Sequence, residues 1–176
     1  CFGMSFNCSP EEMTAEKIED GLGKLRERGV AALLATICTA SADHMLGRVR
    51  RIVELRDRSE LIAEMIPGFH IEGPMLSPSD GPRGAHDPHA IVAPADAPAL
   101  AEELIAASGE RIRIFTLAPE REGALALIAK LAAAGIIVSL GHHEADAATI
   151  AEAVEAGASV CTHLGNGSHA MIPRLD

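Results

Sequence analysis

The residues that decide the fold are 111–164, which read RIRIFTLAPEREGALALIAKLAAAGIIVSLGHHEADAATIAEAVEAGASVCTHL. Short apolar runs alternate here with alanine-rich stretches of helical period, and both helical stretches stop at a glycine. The predicted strands are 111–117, 136–140 and 159–164, and the predicted helices are 122–134 and 145–156. Strands separated by helices pair in parallel through right-handed crossovers, so this stretch predicts an α/β fold.

The same alternation continues back to the beginning of the chain and brings the number of predicted strands to five. The predicted elements are a helix from Ser9 to Gly29, a strand at 30–37, a helix after Ser41 with a break near Ser59, a strand at 68–72, a loop at 73–94 and a helix at 95–108. An open doubly wound sheet and a (β/α)8 barrel share this rhythm. No glycine-rich phosphate-binding motif follows any strand, which disfavours a nucleotide-binding sheet. Five βα units cannot close a barrel, so a barrel would lack strands at one or both ends.

Composition and charge disfavour nucleic acid and a membrane as partners. The chain has 176 residues, 48% of them hydrophobic, and a formal net charge of -10. This charge disfavours nucleic acid as a partner, and no apolar run is long enough to span a membrane. The arginines between 48 and 58 are interleaved with apolar residues, which is typical of an amphipathic helix. The cysteines form no C-x-x-C pair, and Cys38 and Cys161 lie in apolar runs, which indicates buried free thiols in a reducing compartment such as the cytoplasm.

Polar residues collect at the carboxyl ends of three predicted strands, where parallel α/β folds place their active sites. These residues are His70 and Glu72 on one strand, His142 and His143 on another, and His163 on the last. One carboxylate and two imidazoles suit a divalent transition metal such as zinc, iron or manganese. The alternative is that these histidines are ordinary surface residues and that Glu72 forms an ion pair with Arg83 or caps a helix.

Several motifs, in order along the chain, resemble those of the N-acetylglucosamine-6-phosphate deacetylase family. They are H-I-E-G-P-M-L-S-P at 70–78, G-A-H-D-P at 84–88, L-A-P-E at 117–120, G-H at 141–142 and T-H-L-G-N at 162–166. The resemblance implies an α/β fold that is a partial (β/α)8 barrel of the metal-dependent hydrolase type. Residues 1–176 would form part of one catalytic domain whose first and last strands lie outside the chain. That expectation agrees with a sequence that begins at Cys1 and not at Met.

The resemblance also implies roles for individual residues. Glu72, His142 and His163 match the metal ligands of the family, whereas His143 matches no ligand. The positions that match substrate-binding residues are Ala85, His86, Asn166, Gly167 and Arg174. The implied partners are a small N-acetylated sugar phosphate and a second copy of the chain in a homodimer. The general acid and base of the family, an aspartate, would lie beyond Asp176.

The implied function is hydrolysis of the N-acetyl group of an amino sugar phosphate by a metal-bound hydroxide. The chain departs from the family motif after His163, where Gly165 replaces an aromatic residue and 166–171 read N-G-S-H-A-M. This departure leaves open an amidohydrolase that acts on another N-acyl substrate. A non-catalytic α/β protein with incidental histidines is the alternative from a different class.

Overall fold

The computed structural model of the chain describes residues 2–164, and its elements follow the predicted alternation. A short 3-10 helix at Pro10–Glu12 precedes the first α-helix. The strands are β1 Leu34–Cys38, β2 Gly68–Glu72, β3 Ile112–Leu117, β4 Ile137–Leu140 and β5 Ala158–Cys161. The α-helices are α1 Ala15–Arg26, α2 Ala42–Arg58, α3 Glu60–Met65, α4 Leu100–Ala107, α5 Ala124–Ala133 and α6 Ala147–Glu155.

The five strands form one parallel sheet in the order β1-β2-β3-β4-β5, as the alternating pattern predicted. Strand β4 pairs in parallel with β3 on one side and with β5 on the other. A doubly wound sheet reverses its strand order at one point, whereas the strands of a (β/α)8 barrel follow one another in sequence. The sequential order therefore decides between the two architectures in favour of the barrel type of winding.

The chain divides into two compact units. The first unit comprises residues 1–71 and 99–113, and helix α2 packs there against α3, α4 and β1. Its core includes the fully buried side chains of Leu22, Ile37, Ile52 and Phe69. The prediction that the chain is part of one catalytic domain stays a prediction.

Among the described residues, the second unit comprises 72–98 and 114–164 and contains the carboxyl ends of β2, β3, β4 and β5. Helix α5 packs against β4 and α6, and α6 packs against β5. Phe115, Ile128 and Val138 are fully buried in this unit. All the polar strand ends predicted from the sequence, apart from His70, belong to it.

Two predicted helices begin later than the sequence suggested. Ser9 makes no capping hydrogen bond with its side chain, and the α-helix starts only after Thr14, whose side chain accepts a hydrogen bond from the Lys17 N–H. Residues 95–99 do not join α4, because Pro98 disfavours helical geometry at the residue before it. The predicted break near Ser59 is confirmed, since α2 ends at Arg58 and α3 begins at Glu60.

The expectation that Cys38 and Cys161 are buried is wrong. Cys38 is half-buried and Cys161 is exposed, and neither forms a disulfide within the described residues. Cys161 lies on β5, the last strand of the sheet order, and its neighbour Val160 is 44% exposed. Within residues 2–164, the only strand paired with β5 is β4, so one side of this apolar run is left uncovered there.

Between residues 2 and 164, none of the helices combines the length and the apolar character needed to cross a membrane.

Gly68 provides a direct test of the pairing between β2 and β3. A Cβ atom at this position would lie 2.4 Å from the carbonyl oxygen of Arg111, which accepts the hydrogen bond of the Phe69 N–H. We expect Gly68→Ala to lower the free energy of unfolding by about 1–3 kcal/mol, because the backbone must move apart. Urea denaturation measures this change.

Gly23→Ala is the matched control, because Gly23 lies inside α1 and has open space around its Cα. It should raise the stability by about 0.5–1 kcal/mol, as alanine does inside a helix. Equal stability of both variants would contradict the pairing described for β2 and β3.

Candidate metal centre

The carboxylate of Glu72 lies at the centre of a cluster with two imidazoles. Glu72 is the last residue of β2 and is 7% exposed. Its Oε1 atom lies 3.1 Å from Nε2 of His142 and 2.9 Å from Nε2 of His163. One potential ligand atom from each residue lies within 4.8 Å of the other two, the arrangement needed to hold a metal ion. The structure thus brings together the three residues that the sequence singled out.

His142 is oriented by a backbone carbonyl. Its Nδ1 lies 2.9 Å from the carbonyl oxygen of Pro82, which can only accept, so the Nδ1–H donates. In the neutral imidazole the lone pair is then on Nε2, the atom that faces Glu72. A lone pair and a carboxylate oxygen repel each other at 3.1 Å unless a proton or a metal cation lies with them. The donor set and the tautomer therefore fit a divalent cation.

The same geometry favours positive charge at His142. The hydrogen bond with Glu72 raises the pKa of the His142 imidazole, and burial opposes this rise. The carboxylate stabilises positive charge, whether as an imidazolium or as a bound cation, so the cluster is suited to hold a cation.

His142 and His163 both have left-handed backbones, φ 53° and φ 56°, which residues other than glycine seldom adopt, but His163 is held differently in other respects. Its side chain is 48% exposed, compared with 9% for Glu72 and 8% for His142. Its ring meets the ring of His142 edge to face at a centroid distance of 5.1 Å. Because the His163 side chain is so exposed, packing contributes little to its orientation. The backbone before His163 must therefore provide much of that orientation.

His86 lies beside the cluster, on the loop that follows β2. Its Nε2 is 3.3 Å from Nε2 of His142 and 4.0 Å from Oε1 of Glu72. Burial lowers the pKa of His86, and the neighbouring His142 lowers it further. His86 is therefore suited to act as a neutral hydrogen-bonding group next to a metal. The adjacent Ala85 is exposed.

Sequence analysis missed the groups that fix the loop after β2. Glu144 accepts hydrogen bonds from the hydroxyls of Ser77 and Ser79, at 3.3 and 2.8 Å. The Ser77 N–H also donates to the carbonyl oxygen of His142. A serine-rich loop gives no signal of which acid it will meet, because the partners are 67 and 65 residues apart.

The other residues that the sequence analysis considered lie either outside the cluster or outside the described residues. His143 is half-buried and outside the cluster, and burial lowers its pKa. His70 lies 3.4 Å from the hydroxyl of Thr36 and is not part of the cluster. Arg83 pairs with Asp80, whereas the ion-pair partners found for Glu72 are histidines. Asn166, Gly167 and Arg174 lie outside the described residues.

Known proteins resemble the chain in sequence and in fold. N-acetylglucosamine-6-phosphate deacetylase from Bacillus subtilis is 36% identical over 146 residues, which are 81% of this chain and 36% of that protein. A solved structure of a variant of the Mycobacterium smegmatis enzyme with N-acetyl-D-glucosamine-6-phosphate matches 98% of this chain with a TM-score of 0.81 and 32% identity. The chain is homologous to part of an N-acetylglucosamine-6-phosphate deacetylase.

The chain is also homologous to a deacetylase named for a second amino sugar. N-acetylgalactosamine-6-phosphate deacetylase from a Shewanella species is 35% identical over 172 residues, which are 98% of this chain and 41% of that protein. No protein-family model matches the chain. The chain spans less than half the length of these deacetylases, including 43% of the Mycobacterium chain. The match to these barrel enzymes confirms the predicted α/β fold of the partial (β/α)8 type.

Glu72→Gln tests whether the cluster binds a metal. The variant keeps the size of the side chain but removes its charge, so zinc affinity should fall by at least about 10-fold. Titration of the metal-free protein with zinc, followed by calorimetry, measures the affinity and the stoichiometry.

Glu144→Gln is the matched control, because Glu144 accepts hydrogen bonds from serine hydroxyls and does not belong to the group of side chains that could hold a metal. It should bind zinc as tightly as the unchanged protein. The metal assignment would be wrong if both variants lost zinc to the same extent.

Proposed function

We propose that the protein is a metal-dependent deacetylase that hydrolyses the N-acetyl group of an amino sugar 6-phosphate. The observation that carries the proposal is the meeting of Glu72, His142 and His163 at one carboxylate oxygen. The homology to deacetylases supplies the substrate class. A divalent cation at such a site polarises a carbonyl and activates water.

The proposed roles follow from the geometry of the loop after β2. His86, whose side chain is 8% exposed, would donate a hydrogen bond to the acetamide oxygen beside the metal. Ala85 would line the sugar subsite with its backbone. Asn166, Gly167 and Arg174 would bind the phosphate region, which rests on the motif resemblance alone. The resident metal would be zinc, iron or manganese, since the ligand set suits all three.

The proposal also covers the cellular compartment and the oligomeric state of the enzyme. Cys8, Cys38 and Cys161 form no disulfide among the described residues, which agrees with a reducing compartment, and we infer that the protein works in the cytoplasm. We also infer a homodimer, on the family resemblance alone.

The relatives act, by their names, on two epimeric sugars, which defines the substrate panel. We expect the metal-loaded whole protein to release acetate from N-acetylglucosamine-6-phosphate or N-acetylgalactosamine-6-phosphate. The unphosphorylated sugars should react more slowly, because they lack the charged group that orients the substrate. A coupled acetate assay measures the rates.

The altered residues after His163 define the competing outcome. Gly165 and the N-G-S-H sequence at 166–169 replace the family motif at the substrate loop. Hydrolysis of other N-acyl compounds, with no acetate from either sugar phosphate, would favour a different amidohydrolase. Absence of any hydrolysis by a protein that binds the metal would favour a non-catalytic relative.

His86→Asn separates substrate binding from metal binding. We expect kcat/KM to fall by about 100-fold while zinc affinity stays unchanged, because His86 acts on the substrate and not as a ligand. Steady-state kinetics and zinc titration of the same preparation provide the two measurements. His89→Asn is the control, since His89 is exposed on the same loop and should leave both quantities unchanged. Loss of zinc from His86→Asn would reassign this residue to the metal.

A further inference from the structure

Three hydroxyl groups meet near the carboxyl ends of β3, β4 and β5, and one of them belongs to Thr162, the residue before His163. The Thr162 hydroxyl is 2.8 Å from the hydroxyl of Thr116 on β3 and 2.6 Å from that of Ser139 on β4. Thr116 and Ser139 are completely buried. The cluster of Thr116, Ser139 and Thr162, here called the hydroxyl cluster, thus connects the ends of three strands through side chains.

The backbone around the hydroxyl cluster is shaped to accommodate it. A Cβ atom at Gly141 would lie 2.8 Å from Cβ of Thr162 and 2.9 Å from Cγ2 of Thr116. A glycine is therefore required where the chain passes the two threonines on its way to His142. The Thr162 N–H donates to the carbonyl oxygen of Leu140, which extends the pairing of β4 and β5 up to this residue.

His163 depends on this anchor more than the other ligands do. His142 is fixed through Nδ1 by the Pro82 carbonyl, and both His142 and Glu72 are buried. The side chain of His163 is half exposed, and its backbone, like that of His142, is in the costly left-handed region. Thr162 is the residue immediately before it and sets the position from which that backbone turns.

We propose that Thr162 is a positioning residue for His163, and that its two side-chain hydrogen bonds hold the third ligand at the metal. The inference rests on the metal site proposed above. Replacing the hydroxyl by a methyl group removes both bonds and leaves the Ser139 hydroxyl in an apolar contact. His163 then samples orientations in which Nε2 no longer points at the site, and the metal dissociates faster. Residues that orient ligands in this way commonly change metal affinity by about 10–100-fold.

The test is zinc affinity, measured by competition with a chromophoric chelator on the whole protein. Thr162→Val, which keeps the shape, should weaken zinc binding by about 10-fold or more, and Thr162→Ser should restore it. Ser139→Ala removes one of the two bonds and should have a smaller effect. If Thr162→Val does not fold, Ser139→Ala decides, since an unchanged affinity there would overturn the proposal.

Ser108→Ala controls for the general loss of a buried hydroxyl. Ser108 is completely buried, donates to the Ile105 carbonyl oxygen and belongs to the other unit. It should lower the urea midpoint without changing zinc affinity. Unchanged affinity in Thr162→Val, or an equal loss in Ser108→Ala, would overturn the proposal while leaving the metal site intact. A parent protein that binds no zinc would remove the metal site itself.

Discussion

The site depends on one carboxylate oxygen shared by two imidazoles. Oε1 of Glu72 lies about equally close to Nε2 of His142 and of His163, and Glu72 as a residue is buried. A buried carboxylate is costly unless positive charge accompanies it. The cluster satisfies this requirement with a proton on an imidazole or with a cation among the three ligands. The pKa of His142 is raised for the same reason, because the hydrogen bond with the Glu72 carboxylate favours the positively charged imidazolium.

The sheet provides the positions from which these side chains meet. Glu72 ends β2, His142 follows β4, and His163 follows β5, so all three project from the same end of parallel strands. Two of the three have left-handed backbones directly after their strands. Strain of this kind persists only where surrounding contacts hold it, and it concentrates at functional sites. The Pro82 carbonyl and the hydroxyl cluster are the contacts that act on His142 and His163.

Much of the architecture was predictable because its signals are local. The apolar runs and terminal glycines of 111–164 place β3, β4 and β5 to within a few residues. The break at Ser59 and the polar strand ends were also visible in the sequence. Errors arose where tertiary contacts override local preference. The capping pattern at Ser9 forms only a 3-10 turn, because Met13 leaves helical geometry and is buried. Cys161 lies on an apolar strand, but that strand is at the edge of the sheet order.

The supporting contacts of the site could not be read from the sequence. Pro82 and His142 are 60 residues apart, and Thr116 and Thr162 are 46 apart, with no pattern that pairs them. Thr162 belongs to the T-H-L-G-N motif at 162–166, but the resemblance assigned the metal-binding role in that motif to its neighbour His163. The motif therefore identified the ligands and not the hydroxyl that supports one of them.

X-ray absorption spectroscopy on the zinc-loaded protein tests the central claim most directly, because it reports which atoms surround the metal. The account predicts nitrogen and oxygen neighbours at about 2.0–2.2 Å, including the outer-shell scattering of two imidazoles. Sulfur neighbours at about 2.3 Å would place the metal on cysteines and contradict it. A spectrum without imidazole scattering would contradict it equally.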